Sequence, residues 1–298
     1  MDEMTSNKTE SFNAHKVLSH RTAIIAGNGT LPIAVAQALF ESGHNPFLIP
    51  LKNESDPCLY AYEHCEISVV QLSKLIKTLK KKKVKNVVLA GGVKSRPNFY
   101  ELRPDWITLT ALPVLMGALG RGDDALLKAF INLLEKHGFH VVGAHEIVPE
   151  ILAPFGFNLT DRRASKEEFK DIQLAQDAAI LLGKLDVGQG AVAVRGRVVA
   201  LEGAEGTDHM LRRIQEMRLE KRIPLKGGVL VKLAKPQQEE RADLPTIGPN
   251  TIQNAFNCGL SGVAVEAEKS FIVELKETVN KANEFHMFIE TFGKKSDG

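Results

Sequence analysis

The chain has 298 residues, 44% of them apolar and 25% charged, with a net charge of +2. That length suits about two domains with cores of their own, and a nearly balanced charge removes any general attraction to nucleic acid. Three cysteines, the absence of ~18 uninterrupted apolar residues and a polar opening without a signal-peptide core give the expectation of a cytoplasmic protein in a reducing compartment.

Residues 1–20 read as a disordered tail. Thr22–Ala26 then reads as a buried strand and Leu31–Ser42 as a helix, joined by Gly27-Asn28-Gly29-Thr30-Leu31-Pro32. A glycine turn from strand to helix lets backbone N–H groups approach a phosphate at the helix N-terminus. The full dinucleotide fingerprint wants Gly or Ala where Pro32 stands, and an acid near Phe47. The turn is therefore Rossmann-like and suited to a nucleotide, or simply a tight turn that needs glycine. Asn45–Leu51 is a second strand. Cys58, His64 and Cys65 lack the further pair that a zinc site needs, so packing is expected of them.

Leu72–Lys83 is an amphipathic helix ending in four lysines, Lys80 to Lys83, favoured there by the helix dipole. An anionic membrane surface is the alternative partner for that run. Lys85–Ala90 is a third strand, ending in Gly91-Gly92. A long loop with Lys94, Arg96, Arg103 and Trp106 leads to Arg121-Gly122-Asp123-Asp124 and a helix over Ala125–His137. One of the two acids suits an N-cap; the pair suits phosphate or metal contact. His140–Gly143 is the next strand, and Pro149–Thr160 reads as a linker. The first half thus alternates strand and helix, as a parallel sheet requires.

The second half begins with a helix over Lys166–Leu182 and a hairpin, Gln189–Val194 with Arg197–Leu201, turning at Gly196. Glu202, Glu205, Thr207 and Asp208 follow before a helix over Met210–Met217. Thr207 or Asp208 suits an N-cap, while carboxylates gathered at a strand end need a proton, a partner or a cation. A buried strand, Gly228–Ala234, then feeds a polar loop, Lys235-Pro236 through Arg241-Ala242-Asp243-Leu244-Pro245-Thr246-Ile247-Gly248, which opens a helix at Thr251. Strands at Gly262–Val265, Phe271–Glu274 and Met287–Glu290 and a helix over Glu277–Glu284 complete the chain. The expected fold is α/β: a Rossmann-like parallel-sheet domain over 21–153, a linker over 154–164, a second α/β or α+β domain over 165–292, and a tail from 293.

The proline-flanked loop is where chemistry is expected, because loops set on rigid strands carry function. Its Lys232, Lys235, Arg241 and Asp243, with Glu202, Glu205 and Asp208, combine cations for phosphate oxygens with carboxylates for Mg²⁺. No Ser-His-Asp order, nucleophile elbow, P-loop or kinase motif set accompanies them. Metal-assisted chemistry on a phosphorylated ligand follows. The rivals are a nicotinamide-linked oxidoreductase, against which Pro32 speaks, and a non-catalytic nucleotide-sugar-binding protein, against which the acids speak.

Gly27-Asn28-Gly29 with Leu31-Pro32, Gly122-Asp123-Asp124, Gly143-Ala144-His145-Glu146, Asp186-Val187-Gly188-Gln189-Gly190, Glu205-Gly206-Thr207-Asp208 and Lys235-Pro236 through Asp243 to Gly248 occur in that order. Across about residues 21–292 the chain resembles the LpxI-type UDP-2,3-diacylglucosamine diphosphatases of lipid A biosynthesis. The resemblance implies hydrolysis of UDP-2,3-diacylglucosamine to 2,3-diacylglucosamine 1-phosphate (lipid X) and UMP, with Mg²⁺ as cofactor and Mn²⁺ as its substitute. It implies Asp243 as the catalytic carboxylate; the charged constellation adds Lys235 and Arg241 as catalytic candidates and Asp243, Glu202, Glu205 and Asp208 as metal ligands. Substrate contacts are expected from Gly27, Asn28, Gly29, Gly91, Gly92, Arg96, Arg121, Gly122, Asp123, Gln189, Thr207 and Thr246. A homodimer and peripheral contact with the cytoplasmic face of the inner membrane complete the expectations.

Overall fold

The computed structural model describes residues 20–93, 106–156 and 158–293; Arg96, Lys94 and Arg103 lie outside them. The chain forms two compact units: one runs to Pro149 and includes Glu239–Asp243, the other comprises Glu150–Gln238 and the chain from Leu244.

The first unit opens with β1 (Thr22–Ala26) and α1 (Leu31–Glu41), followed by β2 (Phe47–Pro50), α2 (Leu72–Lys81) and β3 (Asn86–Ala90). Next come α3 (Trp106–Leu119), α4 (Asp123–Lys136), β4 (His140–Val142) and a short α5 (Ala144–Ile147). The strands form one parallel sheet in the order β2-β1-β3-β4. Every residue of β1, β2 and β3 is buried, which is why they read as unbroken apolar runs instead of alternating ones. Ile25, Ile49 and Leu89 pack against Leu75, Ile76 and Leu79 of α2 and against Ile131 and Leu134 of α4.

Helix α3 corrects the expectation of a loop through Trp106. It is apolar almost throughout and has Pro113 inside it, so it shows no amphipathic period and carries a residue that normally breaks helices. Its Ala111 and Leu115 pack with Leu72 and with Leu126, Ala129, Phe130 and Leu133. That packing supports what local propensity does not.

The second unit holds α6 (Lys166–Lys184), β5 (Gly190–Val194), β6 (Arg197–Leu201), α7 (Gly206–Leu219) and β7 (Val229–Lys232). It continues with β8 (Thr246–Ile247), α8 (Pro249–Asn257), β9 (Gly262–Glu266), β10 (Phe271–Ile272), α9 (Leu275–Glu284) and β11 (Phe288–Phe292). Five strands form a mixed sheet ordered β11-β9-β7-β5-β6, with β8 and β10 paired separately. β7, β9 and β11 are parallel, whereas β5 runs antiparallel to both its neighbours. One face is covered by the alanine side of α6, where Ala175 and Ala179 meet Ala191, Ala193, Val229 and Val231. The other face holds the larger core, with Met210 and Ile214 of α7, Ile252 of α8 and Ala282 of α9 over Val192, Leu230 and Val263. The stretch read as a linker is stitched into this unit: Leu152 bridges Phe271, and Asn158 bridges Glu290.

Candidate active site

In the first unit the glycine turns stand at the carboxyl ends of β1 and β3, where open parallel sheets bind their ligands. They are zipped to each other. Asn28 N–H donates to the Gly92 carbonyl at 2.8 Å, Gly92 N–H donates back to Asn28 at 3.1 Å, and the Asn28 amide adds a bond to Gly92 O at 2.6 Å. A Cβ on Gly27 would stand 2.2 Å from Gly92 O, and Gly91 has φ +84° with room for no side chain. Glycine is thus demanded here by the approach of one turn to the other. A cleft of about 410 Å³ lined by Arg21, His44, Asn45 and Glu63 lies at the opposite ends of these strands, away from the turns.

The same unit receives the loop that carries Asp243. Asp124, buried in the first turn of α4, accepts the Glu239 N–H at 3.2 Å on one carboxylate oxygen and pairs with Lys128 at 2.9 Å through the other. Arg241 reaches Glu135, near the end of α4, at 2.7 Å, and grips Glu239 through Nε at 2.8 Å and Nη2 at 3.1 Å. The Arg241 hydrogen bond holds the Glu239 carboxyl below its ordinary range. Ala242 packs against the first unit's core. Asp243 itself is exposed, with its N–H bound to the Glu239 carbonyl at 3.1 Å, and the buried Leu244 and Pro245 follow it. Arg121 and Asp123 are exposed beside Gly122, whose φ of 118° precedes α4.

Two expectations change here. Gly122, not either aspartate, is the N-cap of α4, and Asp124 anchors the loop instead of capping. Arg241, expected to face phosphate, has its guanidinium committed to two carboxylates. The partner that matters, Glu135, is 106 positions away in sequence. One signal pointed to it: an acid in the last turn of a helix opposes the dipole and needs a cation.

In the second unit, Lys235 forms a half-buried ion pair with Asp186 at 2.7 Å, so it too serves a protein carboxylate. Its N–H donates to Gln238, and the Gln238 amide donates to the Gln189 side chain at 3.1 Å. Glu202 is buried, with Oε1 accepting from the Thr207 hydroxyl at 2.7 Å and Oε2 without a partner. Glu205 pairs with Arg213, and Asp208 accepts from Asn254 at 2.9 Å. Neither Thr207 nor Asp208 is the N-cap of α7; Glu205 stands there without a side-chain cap bond. Among the described residues no three His, Cys, Asp or Glu side chains are grouped so as to hold a metal ion. Of the expected metal ligands Glu202, Glu205, Asp208 and Asp243, Glu205 is engaged with Arg213 and Asp208 with Asn254. Thr246 donates its hydroxyl to Leu244 O at 3.1 Å, and its own carbonyl accepts from Lys232 at 3.2 Å.

Two family descriptions match the chain: the LpxI N-terminal domain over residues 21–151 and the LpxI C-terminal domain over residues 157–290. A UDP-2,3-diacylglucosamine pyrophosphatase LpxI of Caulobacter vibrioides is 38% identical over 275 residues, covering 90% of this chain and 96% of that protein. Among solved structures, a UDP-N-acetylglucosamine 4-epimerase from Bacillus cereus covers 92% of this chain and 76% of its own at 15% identity and a TM-score of 0.29. The biotin carboxylase domain of the Hydrogenobacter thermophilus 2-oxoglutarate carboxylase covers 67% of this chain and 41% of its own, at 12% identity and a TM-score of 0.24.

Proposed function

The chain belongs to the LpxI family, and on that premise we propose that it is a UDP-2,3-diacylglucosamine pyrophosphatase of lipid A synthesis, splitting its substrate into 2,3-diacylglucosamine 1-phosphate and UMP. The observation that carries the proposal is the anchored loop: an exposed Asp243 held on a backbone fastened through Glu239 and Arg241 to both ends of α4. A carboxylate fixed in this way is preorganised to take a proton from a water attacking phosphorus, while the bridging P–O bond breaks and the departing phosphate keeps the electron pair. The glycine turns Gly27 to Gly29 and Gly91-Gly92, with Arg121, Gly122 and Asp123, are the proposed seat of phosphate groups. Gln189, Thr207 and Thr246 are proposed substrate contacts of the second unit. Lys235 and Arg241 act by fixing the loop.

Magnesium is proposed as the cofactor, with Mn²⁺ as a substitute. A cage built wholly from protein does not fit the described residues, but Mg²⁺ characteristically uses one or two carboxylates plus substrate phosphates, and Asp243 would supply that carboxylate. Bound there, the ion would neutralise charge on the diphosphate. Because the substrate carries acyl chains, action at the cytoplasmic face of the inner membrane by peripheral contact is proposed; no described helix is long and apolar enough to cross a membrane. A homodimer is the proposed assembly.

The test is Asp243→Asn, which keeps size and removes charge. With general-base chemistry worth roughly 10²–10⁴ in rate, UMP release from UDP-2,3-diacylglucosamine should fall by at least the lower figure while the melting temperature holds. A folded variant within a few-fold of wild type would place the chemistry on another residue.

A further inference from the structure

The mixed sheet of the second unit carries a polar floor beside its core. Gly190 stands opposite Lys232 on β7, and on its other side it accepts the Glu202 N–H at 2.9 Å. Residues directly opposite one another across antiparallel strands put their side chains on the same face. Glu202, Gly190 and Lys232 therefore make one row across three strands, two positions on from Ala200, Val192 and Leu230 of the larger core. Glycine in the middle of the row makes room for the Glu202 carboxylate, which lies over it: a Cβ on Gly190 would come within 2.5 Å of Glu202 Oε2.

Both charged ends of the row are buried and short of partners. Lys232 is 6% exposed, and among the described residues its ammonium donates once, to Thr246 O, and pairs with no carboxylate. Glu202 is 7% exposed with Oε2 unbonded. An ammonium offers three donors and a carboxylate oxygen two acceptor sites, and buried charges are costly unless paired. The two do not form an ion pair with each other, although only a glycine separates them in the row. A metal ion would satisfy Glu202 and be repelled by Lys232; a bare inorganic anion would do the reverse. A ligand with a phosphate at one end and a hydroxyl at the other satisfies both.

We propose that Lys232 and Glu202 form a sugar-phosphate site on this face, the ammonium binding a phosphate oxygen and the carboxylate accepting from a sugar hydroxyl. The inference rests on the proposed function only in its choice of ligands, since both halves of a UDP-sugar pair a phosphate with sugar hydroxyls. Lys232, one of several cations expected near phosphate, is here given a specific partner across the sheet, and Glu202 changes from metal ligand to hydroxyl acceptor.

Calorimetric titration of the full-length protein with UMP, glucosamine 1-phosphate and inorganic phosphate tests this, using wild type, Lys232→Met and Glu202→Gln. Wild type should bind at least one sugar phosphate. Lys232→Met should weaken that ligand by about tenfold or more, the size expected for a lost charged hydrogen bond. Its melting temperature should be unchanged or higher, because an uncompensated buried charge has gone. Glu202→Gln should weaken the same ligand several-fold, while inorganic phosphate, relieved of the carboxylate's repulsion, should bind no more weakly than to wild type. Whichever of UMP and glucosamine 1-phosphate is weakened identifies the half of the substrate held here. The proposal is overturned if wild type binds neither, if either variant binds the sugar phosphates as wild type does, or if Lys232→Met melts several degrees lower. Binding that depends on Lys232, in a protein that releases no UMP from UDP-2,3-diacylglucosamine, would leave this site standing and remove the proposed function alone.

Discussion

Asp124→Ala should cripple turnover from a position that need never touch substrate. The change removes a buried carboxylate that accepts the Glu239 N–H at 3.2 Å and pairs with Lys128 at 2.9 Å. A hydrogen bond to a charged group contributes about 1.5–3 kcal/mol. The Lys128 pair, one helical turn apart with a 40% exposed lysine, adds only about 0.3–0.5 kcal/mol. Loss of negative charge from the first turn of α4 costs about 0.3–1 kcal/mol more. Only the first of these bears on the loop, so its docking weakens by roughly 2 kcal/mol, or about 30-fold. Arg241 still holds its end through Glu135, so the expected fall in kcat/KM is about 10- to 30-fold. Asp124→Asn keeps an acceptor oxygen for Glu239 and should stay within a few-fold of wild type. Both variants are read by UMP release at low substrate and by melting temperature. Equal losses in the two would mean that the charge of Asp124, and not its acceptor, is what matters; wild-type rates in Asp124→Ala would show that the loop needs no such anchor.

Excess EDTA should abolish UMP release and Mg²⁺ or Mn²⁺ should restore it, as oxygen-ligated hard ions would; full activity in chelator would sink the metal. Gly27→Ala should drive a methyl into Gly92 O, costing about 1–3 kcal/mol, and an unchanged melting temperature would show that the two turns can part. Glu239 has its carboxyl lowered from an ordinary 4.5 by Arg241. Its contribution is therefore present above that value and lost as pH falls through the lowered one. The melting-temperature gap between wild type and Arg241→Met should accordingly close on acidification below about pH 4.5, and a gap independent of pH would refute the linkage.

Much of the fold is readable from the residues because local and global preferences agree. Thr22–Ala26 and Arg197–Leu201 form the strands that their apolar runs suggest, and Gly27 and Gly91 mark a close approach that only glycine permits. Helix α3 is not readable, since its apolar circumference erases the period and Pro113 contradicts the element that tertiary packing imposes. At the candidate site, the prolines mark the Asp243 loop as a constrained segment, but what it is fastened to is not legible. Lys235 and Arg241 look like phosphate ligands until Asp186 and Glu135 arrive from 49 and 106 positions away. Sequence gives the charges; only the fold gives their partners.

The grouping of Glu239–Asp243 with the unit that ends at Pro149 also sets a timetable for synthesis. The first unit's sheet leaves the ribosome some ninety residues before the segment that completes it, a delay of about 5–18 s at about 5–20 residues per second. During that interval Asp124 and Glu135 wait on α4 for a backbone amide and a guanidinium not yet made. A nascent chain released early would lack its last-made fastening and the exposed carboxylate beside it. With Asp243 in its proposed role, a chain assembled in this order stays catalytically silent until most of the second unit has been translated.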